Sequence, residues 1–300
     1  NDMGDFEINQ DIPFKYVSKV PDMSGYKTYF FEFEDEMDPC LSLRADSVRL
    51  KIKDQFVVQN KYTYTATDRG FKITFTDLKQ IPNINKGDSI VLSYTAYLNE
   101  SAAPKISKRG FENKVRVNFS NDPQNESKGQ SPWDCVVCYT YQLNGLKSNE
   151  KNVKLKGATF KMYRDAAMRD QVKMKKTDSG YVVTNGEFEI YGLDQGTYYL
   201  KETKAPAGYQ LLQKPIELTI SPKFVENRNN YRSNGDGLLK LEASSFNTPL
   251  NVSQSDAIIG LKVINKTGTK LPVTGSFGTV LCVVTGAGIM VYVCKKKREE

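Results

Sequence analysis

Histidine is absent from this chain of 300 residues. It is the side chain that most often acts as a general base near neutral pH, and it is the commonest protein ligand of metal ions. Without it, no Ser-His or Cys-His pair is available to activate a nucleophile. The sequence therefore predicts no metal site and no cofactor site, and it disfavours an enzyme with turnover.

Cysteine is scarce, with five residues in the chain. Cys282 and Cys294 lie in an apolar run near the C-terminus, and Cys40, Cys135 and Cys138 precede that run. Cys135 and Cys138 form a CxxC pair, which could be a disulfide or a redox pair. On a strand, however, side chains three residues apart point to opposite faces, and no second pair completes a zinc site. We expect no functional CxxC site.

A strong charge of one sign is also lacking. The net charge is +7, but basic and acidic residues are interleaved and form no basic stripe. Nucleic acid is therefore not expected as a partner. With 39% hydrophobic and 26% charged residues, the composition is that of a globular protein. The length predicts two domains.

One long uncharged run is present, from Ser276 to Cys294. A helix of about 19 residues is about 28 Å long, close to the ~30 Å hydrocarbon core of a bilayer. Lys295 to Arg298 follow at once, and such basic clusters stay on the cytoplasmic side, so residues 1–270 should face outward. A plain C-terminal membrane anchor would show the same pattern. Because Asn1 is not a start residue, we expect a mature or truncated product.

A five-residue motif, LPVTG, stands directly before this run. Its residues are Leu271, Pro272, Val273, Thr274 and Gly275. The motif, the apolar run and the basic tail together resemble the cell-wall sorting signal of Gram-positive surface proteins. The resemblance implies that a sortase cysteine attacks the carbonyl of Thr274, expels the chain from Gly275 onward, and passes the acyl group to an amine on cell-wall precursor or on another pilin. Residues 276–294 would then contact the membrane only transiently.

Short alternating runs separated by turn signals fill residues 1–122. Examples are Phe14–Val20, Ser47–Ile52, Phe71–Phe75 and Ser89–Leu98. Such runs predict the strands of an antiparallel β-sandwich. Residues 123–134 are rich in proline, glycine and polar side chains and are predicted to be a linker. Residues 135–270 show further alternating runs and are predicted to be a second β domain.

One strand of the first domain carries an acid in its apolar phase. In the sequence YFFEFEDEM, Asp35 continues the phase of Phe31 and Phe33, so it is predicted to face the core. A buried carboxylate is costly unless it is protonated or paired. Asn113 likewise shares its phase with Val115. The alternative is that both lie at strand ends, where polar residues are tolerated.

The segments GDFEINQDIPFKYVSKV and ENKVRVNFSNDP resemble the fimbrial isopeptide-forming domain of Gram-positive pilus backbone subunits. The resemblance implies a lysine on the first strand joined to an asparagine on the last, with an acid between them. Asp35 matches the acid and Asn113 the asparagine, with Asn121 as a second choice. The lysine would lie on a strand preceding Gly4, and this chain has none there. We expect no such bond in the first domain of this chain.

Three polar residues extend apolar strand faces in the second domain. Lys147 follows the phase of Leu143 in VVCYTYQLNGLK, Glu202 that of Leu200 in GTYYLKET, and Asn265 closes the strand IIGLKVIN. Each alone could be an ordinary strand-end residue, since lysine side chains usually reach solvent. Together they predict a buried cluster.

The segments GATFKMY and GLDQGTYYLKETKAPAGY resemble the collagen-adhesin B-type, or prealbumin-like, domain of pilus backbones. The resemblance implies that Lys147 and Asn265 are joined by an isopeptide bond and that Glu202 is the catalyst. An amine attacks a carboxamide only when neutral, and apolar burial disfavours charged forms. Lys147 would be the nucleophile, while a protonated Glu202 would polarise the Asn265 carbonyl and relay protons to the departing ammonia.

The sequence therefore predicts an all-β fold of two tandem β-sandwich domains, immunoglobulin-like and prealbumin-like, followed by the sorting signal. The resemblance implies a structural major pilin, exported and wall-anchored through Thr274. Its implied partners are a sortase, neighbouring pilin subunits and peptidoglycan, with a host surface receptor as a further candidate. The alternative is a monomeric wall-anchored adhesin or stalk protein.

Overall fold

The structure is a computed structural model and describes residues 2–172, 181–226 and 235–268. In these ranges it is built of β-strands with four short 3₁₀ helices. The helices are Ala45–Ser47, Gln59–Lys61, Leu78–Gln80 and Glu100–Lys105. No helix in the described ranges is long and apolar enough to cross a membrane. The LPVTG motif and the predicted span at 276–294 lie outside the described residues.

The first domain is a sandwich of two sheets. Its strands are β1 (Met3–Asp5), β2 (Ile12–Lys19), β3 (Phe31–Met37), β4 (Leu41–Leu43), β5 (Arg49–Ile52), β6 (Gln55–Phe56), β7 (Thr63–Thr67), β8 (Gly70–Phe75), β9 (Ser89–Leu98), β10 (Phe111–Ser120), β11 (Lys128–Gln130) and β12 (Asp134–Tyr139). Sheet I has the order β1-β12-β10-β3-β8-β7, with β11 beside β10. Sheet II has the order β2-β9-β5-β6, with β4 beside β9.

The second domain is also a two-sheet sandwich. Its strands are β13 (Tyr141–Asn149), β14 (Thr159–Tyr163), β15 (Tyr181–Val182), β16 (Glu187–Leu193), β17 (Gly196–Lys204), β18 (Ile216–Phe224), β19 (Leu238–Ser244), β20 (Leu250–Ser253) and β21 (Ile258–Asn265). Sheet III has the order β16-β13-β21-β20, and sheet IV β15-β14-β17-β18-β19. The parallel pair β13–β21 brings the first and last strands of the domain side by side.

Alternation of apolar and polar residues places each core between its two sheets. Strand β9 is representative, because every second residue from Ile90 to Leu98 is buried while the residues that alternate with them are partly exposed. Successive side chains on a strand point to opposite faces, so this pattern fixes which face of sheet II meets sheet I. The all-β, two-sandwich prediction is confirmed.

Strand β12 belongs to both domains. It pairs with β10 of sheet I, and residues 128–130 within the predicted linker also pair with β10. Val136 and Cys138 face the first core, whereas Val137 and Tyr139 lie in the second core. The residue that follows is Thr140, after which the chain continues as β13. The two domains therefore meet along β12, which begins at the end of the linker that the sequence predicted at residues 123–134.

The CxxC pair lies on β12, and its two side chains point to opposite faces. Cys138 packs in the first core and Cys135 against the second. No disulfide joins them. Because the two thiols face different cores, the strand geometry separates them, and they act as packing residues.

Candidate functional site: a buried lysine, glutamate and asparagine

Lys147, Glu202 and Asn265 meet inside the second domain. Lys147 lies on β13 and Asn265 on the adjacent strand β21, where Asn149 is the register partner of Asn265. Glu202 lies on β17 of the facing sheet. The three residues are 0%, 1% and 1% exposed. The sequence therefore predicted correctly that all three side chains point into the core.

The three side chains are in direct contact. Lys147 Nζ donates to Asn265 Oδ1 and lies 3.2 Å from Glu202 Oε1. Asn265 Nδ2 donates to Glu202 Oε1 at 3.1 Å and to Oε2 at 3.0 Å. The amine thus faces the oxygen side of the carboxamide, and the acid lies between the amine and the amide nitrogen. The expected contact of Glu202 with the carbonyl oxygen is not made, because the Glu202 carboxyl faces the nitrogen.

Two aromatic rings shield the amine from water. The ring of Phe160 lies 5.6 Å from Lys147 Nζ and stacks on Phe188 with a centroid separation of 4.8 Å. Phe188 is the register partner of Gly145, and a Cβ at Gly145 would overlap its ring. Glycine is therefore needed at position 145, two residues before Lys147, so that the Phe188 ring can pack there.

A segment after β17 completes the site, and sequence reasoning did not find it. The carbonyl of Gln210 accepts from Asn265 Nδ2 at 2.8 Å, and the amide of Leu212 donates to Glu202 Oε2 at 2.9 Å. The segment is held in turn by the amide of Gln210, which donates to the carbonyl of Lys266 at 3.0 Å. The segment makes these contacts through its backbone atoms, so the types of its residues could not indicate them in the sequence. The adjoining APAGY turn was the available signal.

Burial makes the amine a better nucleophile. Removal from water lowers the pKa of Lys147 below its ordinary value, although the charge of Glu202 acts in the opposite direction. A lower pKa raises the fraction of neutral amine at neutral pH. The site can therefore present an uncharged nitrogen beside a carboxamide, with an acid in contact with both.

The first-domain pair is also assembled. Asp35 on β3 and Asn113 on β10 are buried, and Asn113 Nδ2 donates to Asp35 Oδ2 at 3.2 Å. The hydroxyl of Tyr94 donates to the same oxygen at 2.5 Å, and the hydroxyl of Tyr16 accepts from Asn113 at 3.1 Å. Burial raises the pKa of Asp35 to about 7, despite these hydrogen bonds. In the part of the chain that the structure describes, tyrosine hydroxyls surround this pair and no lysine joins it.

Asn121, the second choice, is not part of this cluster. It is exposed beyond the end of β10, where its side-chain oxygen accepts from the hydroxyl of Ser127 at 2.5 Å. The carboxyl of Asp35 is instead matched by Asn113, whose phase on β10 points inward. Asn121 has the same phase as Asn113, but β10 ends at Ser120, so the end of the strand and not its phase separates the two asparagines.

The outer face of sheet I holds the same residue types in a different setting. Lys72 Nζ lies 3.3 Å from Glu32 and 3.2 Å from Glu34, and Asn118 Nδ2 donates to these two acids at 2.9 and 3.0 Å. The Lys72 side chain is 33% exposed. Although burial lowers its pKa, the two acids outweigh that effect and raise the pKa. Lys72 therefore remains a cation, and we expect no reaction there.

Part of the second domain is similar to a known protein family. Residues 142–231 match the family model described as "SpaA: Prealbumin-like fold domain". The trypsin-resistant surface T6 protein of Streptococcus pyogenes serotype M6 is 29% identical over 172 residues, which is 51% of this chain and 29% of that protein. The chain thus spans less than a third of the curated relative that it matches.

Solved major pilins share the fold. The major pilin subunit BcpA of Bacillus cereus has a TM-score of 0.58 at 20% identity, covering 89% of this chain and 67% of that one. The major pilin RrgB of Streptococcus pneumoniae has a TM-score of 0.62 at 16% identity, covering 89% and 70%. The pilus 2b backbone protein of group B streptococcus has a TM-score of 0.60 at 20% identity, covering 90% and 97%. At these identities the likeness establishes the fold.

Proposed function

We propose that this chain is a structural backbone subunit of a Gram-positive pilus, joined to its neighbours and anchored to the cell wall by a sortase acting at Thr274. The observation that carries the proposal is the buried contact of Lys147, Glu202 and Asn265 in a fold shared with major pilins. The prealbumin-like match and the similarity to the T6 protein support the same function.

The buried cluster would form an isopeptide bond. The neutral amine of Lys147 attacks Cγ of Asn265, so that a C–N bond to Nζ forms and the bond from Cγ to Nδ2 breaks. Nitrogen Nζ loses one proton and the departing nitrogen gains one, which releases one ammonia. Glu202 lies 3.2 Å from Nζ and 3.0 Å from Nδ2, so it can accept the first proton and deliver the second. Close contact between the reacting groups supplies most of the acceleration.

Glu202 returns to its starting protonation state, but the amide bond remains. The reaction therefore takes place once per molecule, and the chain is a structural protein without enzymatic turnover. The lowered pKa of Lys147 is what makes the first step accessible at neutral pH. The backbone contacts from Gln210 and Leu212 hold the carboxamide and the acid in place before the reaction.

The bond would direct tension around most of the second domain. Lys147 and Asn265 are 118 residues apart in the chain but lie on neighbouring parallel strands. A pull on Thr274 reaches Asn265, passes to Lys147, and continues along β13 into β12 of sheet I. The residues between the linked positions are bypassed, so the two sheets of the domain need not separate under load.

The sorting signal follows this site closely. The described chain ends at Gly268, whose amide donates to the carbonyl of Gly208 at 3.0 Å, and Leu271 comes three residues later. A sortase would cleave after Thr274 and join it to an amine of a neighbouring subunit or of peptidoglycan. Residues 276–294 would hold the chain in the membrane until that step.

Polymerisation in cells tests the proposal. In a Gram-positive host with an intact sortase operon, the chain produced with an export signal before Asn1 is expected to give an SDS-resistant ladder. Replacing the cleavage residue, Thr274→Ala, should reduce the ladder to a single band because the sortase would no longer recognise and cleave the motif. The matched variant Thr269→Ala should keep the ladder. A single wall-linked band from the unaltered chain would instead favour the monomeric adhesin or stalk.

A further inference from the structure

A groove runs along one side of the second domain, next to the buried site. It has a volume of about 530 Å³ and lies between the edge of sheet IV and the end of β21. Its walls are formed by residues 212–217, 245–249 and 262–264. The amide of Gln195, before β17, donates to Asp5 of the first domain at 2.6 Å, whereas β17 and β21 lead away from that contact. The groove is therefore on the half of the domain remote from the first domain.

Large apolar side chains are left uncovered in this groove. Phe246 is 89% exposed and Ile264 is 42% exposed, and both line the same walls. Lys214 and Lys262 also line the groove and outnumber its one acidic residue, Glu217. An aromatic ring beside a concave apolar wall with a charged rim is typical of a protein interface.

The groove shares a wall with the buried site. Leu212 lines the groove, and its amide holds Glu202 at 2.9 Å. Val263, another lining residue, is the register partner of Lys147. The proposed bond would fix both β13 and β21, so the floor of the groove would be held rigid. A rigid surface loses little entropy when it binds.

We propose that this groove receives a second copy of this chain, namely the neighbour joined through Thr274. The inference rests on the proposed function. Thr274 follows Gly268 by six residues, and a fully extended chain of that length reaches about 21 Å. Ile264 is four residues before Gly268 on the same path. Whatever is joined at Thr274 is thus tethered beside the groove, and short tethers give effective concentrations in the millimolar range.

The two lysines that line the groove favour carboxylates on the incoming surface of the neighbour. Phe246 would be the anchor that the neighbour covers, since exposed aromatic rings at an interface contribute more to binding than most other residues. Docking would orient the neighbour for covalent joining, would persist afterwards because the two copies are tethered, and would limit bending between successive subunits.

A photo-activated cross-linker tests the occupant. The full chain, with a photoreactive phenylalanine at position 246, is produced in a host with an intact sortase operon and irradiated. The expected result is a cross-linked peptide pair whose partner comes from a second copy of the chain. The matched control places the same group at position 56, because Phe56 is 64% exposed but lies on β6 of the first domain. No copy-to-copy cross-link is expected there.

Substitution gives an independent readout. Phe246→Asp should lower the share of chains in bands above the dimer by about tenfold, whereas Phe56→Asp should leave it unchanged. Both side chains are exposed, so neither change should affect folding. A normal ladder without a cross-link from position 246 to a second copy would overturn the docking inference alone. Absence of any ladder from the unaltered chain would overturn the proposed function, and the docking inference with it.

Discussion

Replacing Lys147 by methionine is expected to lower the unfolding free energy of the second domain by about 5 kcal/mol. Methionine fills a similar apolar volume, so the main loss is the covalent bond to Asn265. That bond closes a loop between positions 118 residues apart. By analogy with a disulfide across a ~100-residue loop, closure contributes ~4.7 kcal/mol through the unfolded state. Calorimetry on residues 1–270 should show the melting temperature of this domain lowered by roughly 15 °C.

A double-mutant cycle separates bond loss from ordinary packing loss. Asn265→Ala alone should cost about as much as Lys147→Met, and the double variant should cost little more than either, because the bond is lost only once. Met162→Leu, at another fully buried position of the same core, should change stability by less than about 1.5 kcal/mol. Small, additive losses from the two site variants would show that no bond had formed.

Replacing Asp35 by asparagine is expected to stabilise the first domain at pH 8. Burial raises the pKa of Asp35 to about 7, compared with ≈ 3.9 for an unfolded aspartate. Between about pH 4 and 7 the folded state holds a proton that the unfolded state has lost, so stability falls as the pH rises through this window. The loss of unfolding free energy that the buried carboxylate causes is complete above pH 7 and absent below pH 4. At 1.36 kcal/mol per pKa unit, its ceiling is about 4 kcal/mol.

The asparagine oxygen can still accept from the hydroxyl of Tyr94, so the main change is removal of the buried charge. Trp133 is the one tryptophan of the chain. The centroid of its ring lies 4.5 Å from Cζ of Arg116 on sheet I, so its fluorescence reports the unfolding of the first domain. Urea unfolding at pH 4, 6 and 8 should give a gain for Asp35→Asn that grows with pH. The exposed control Asp68→Asn should change stability by less than about 0.5 kcal/mol. A gain independent of pH would contradict the account.

Strand phase was enough to predict that the polar residues of both clusters are buried. Lys147 continues the alternation of Tyr141 and Leu143 along β13, and all three are buried in the structure. Asp35 and Asn113 were found in the same way. The rule works because side chains alternate strictly along a strand, so one apolar face fixes the direction of every residue in register with it.

Contacts between distant segments could not be predicted in this way. The sequence of β12 alternates without a break into β13, yet its two faces lie in different cores. Polar composition suggested a linker at residues 123–134, but backbone pairing with β10 depends on register, and composition does not encode register. The hydroxyls of Tyr16 and Tyr94 contact Asn113 from the opposite sheet, and no local sequence pattern predicts these contacts.

Residue type alone also does not determine chemistry. Lys72 and Asn118 both contact glutamates, as Lys147 and Asn265 do. The difference is electrostatic, because two carboxylates outweigh the partial burial of Lys72 and raise its pKa, whereas full burial outweighs the one carboxylate beside Lys147 and lowers its pKa. A lysine near an asparagine and an acid is therefore not sufficient for isopeptide formation, because the amine must also be buried away from water.

The intact mass of residues 1–270 tests the central claim most directly. The account predicts a mass lower than the sequence requires by one ammonia, with a branched peptide that joins Lys147 to Asn265 and an unmodified Lys72. Glu202→Ala should restore the full mass, because no group would then move the proton between the two nitrogens. A full mass for the unaltered protein would contradict the account, and loss of a second ammonia would show that another lysine reacts.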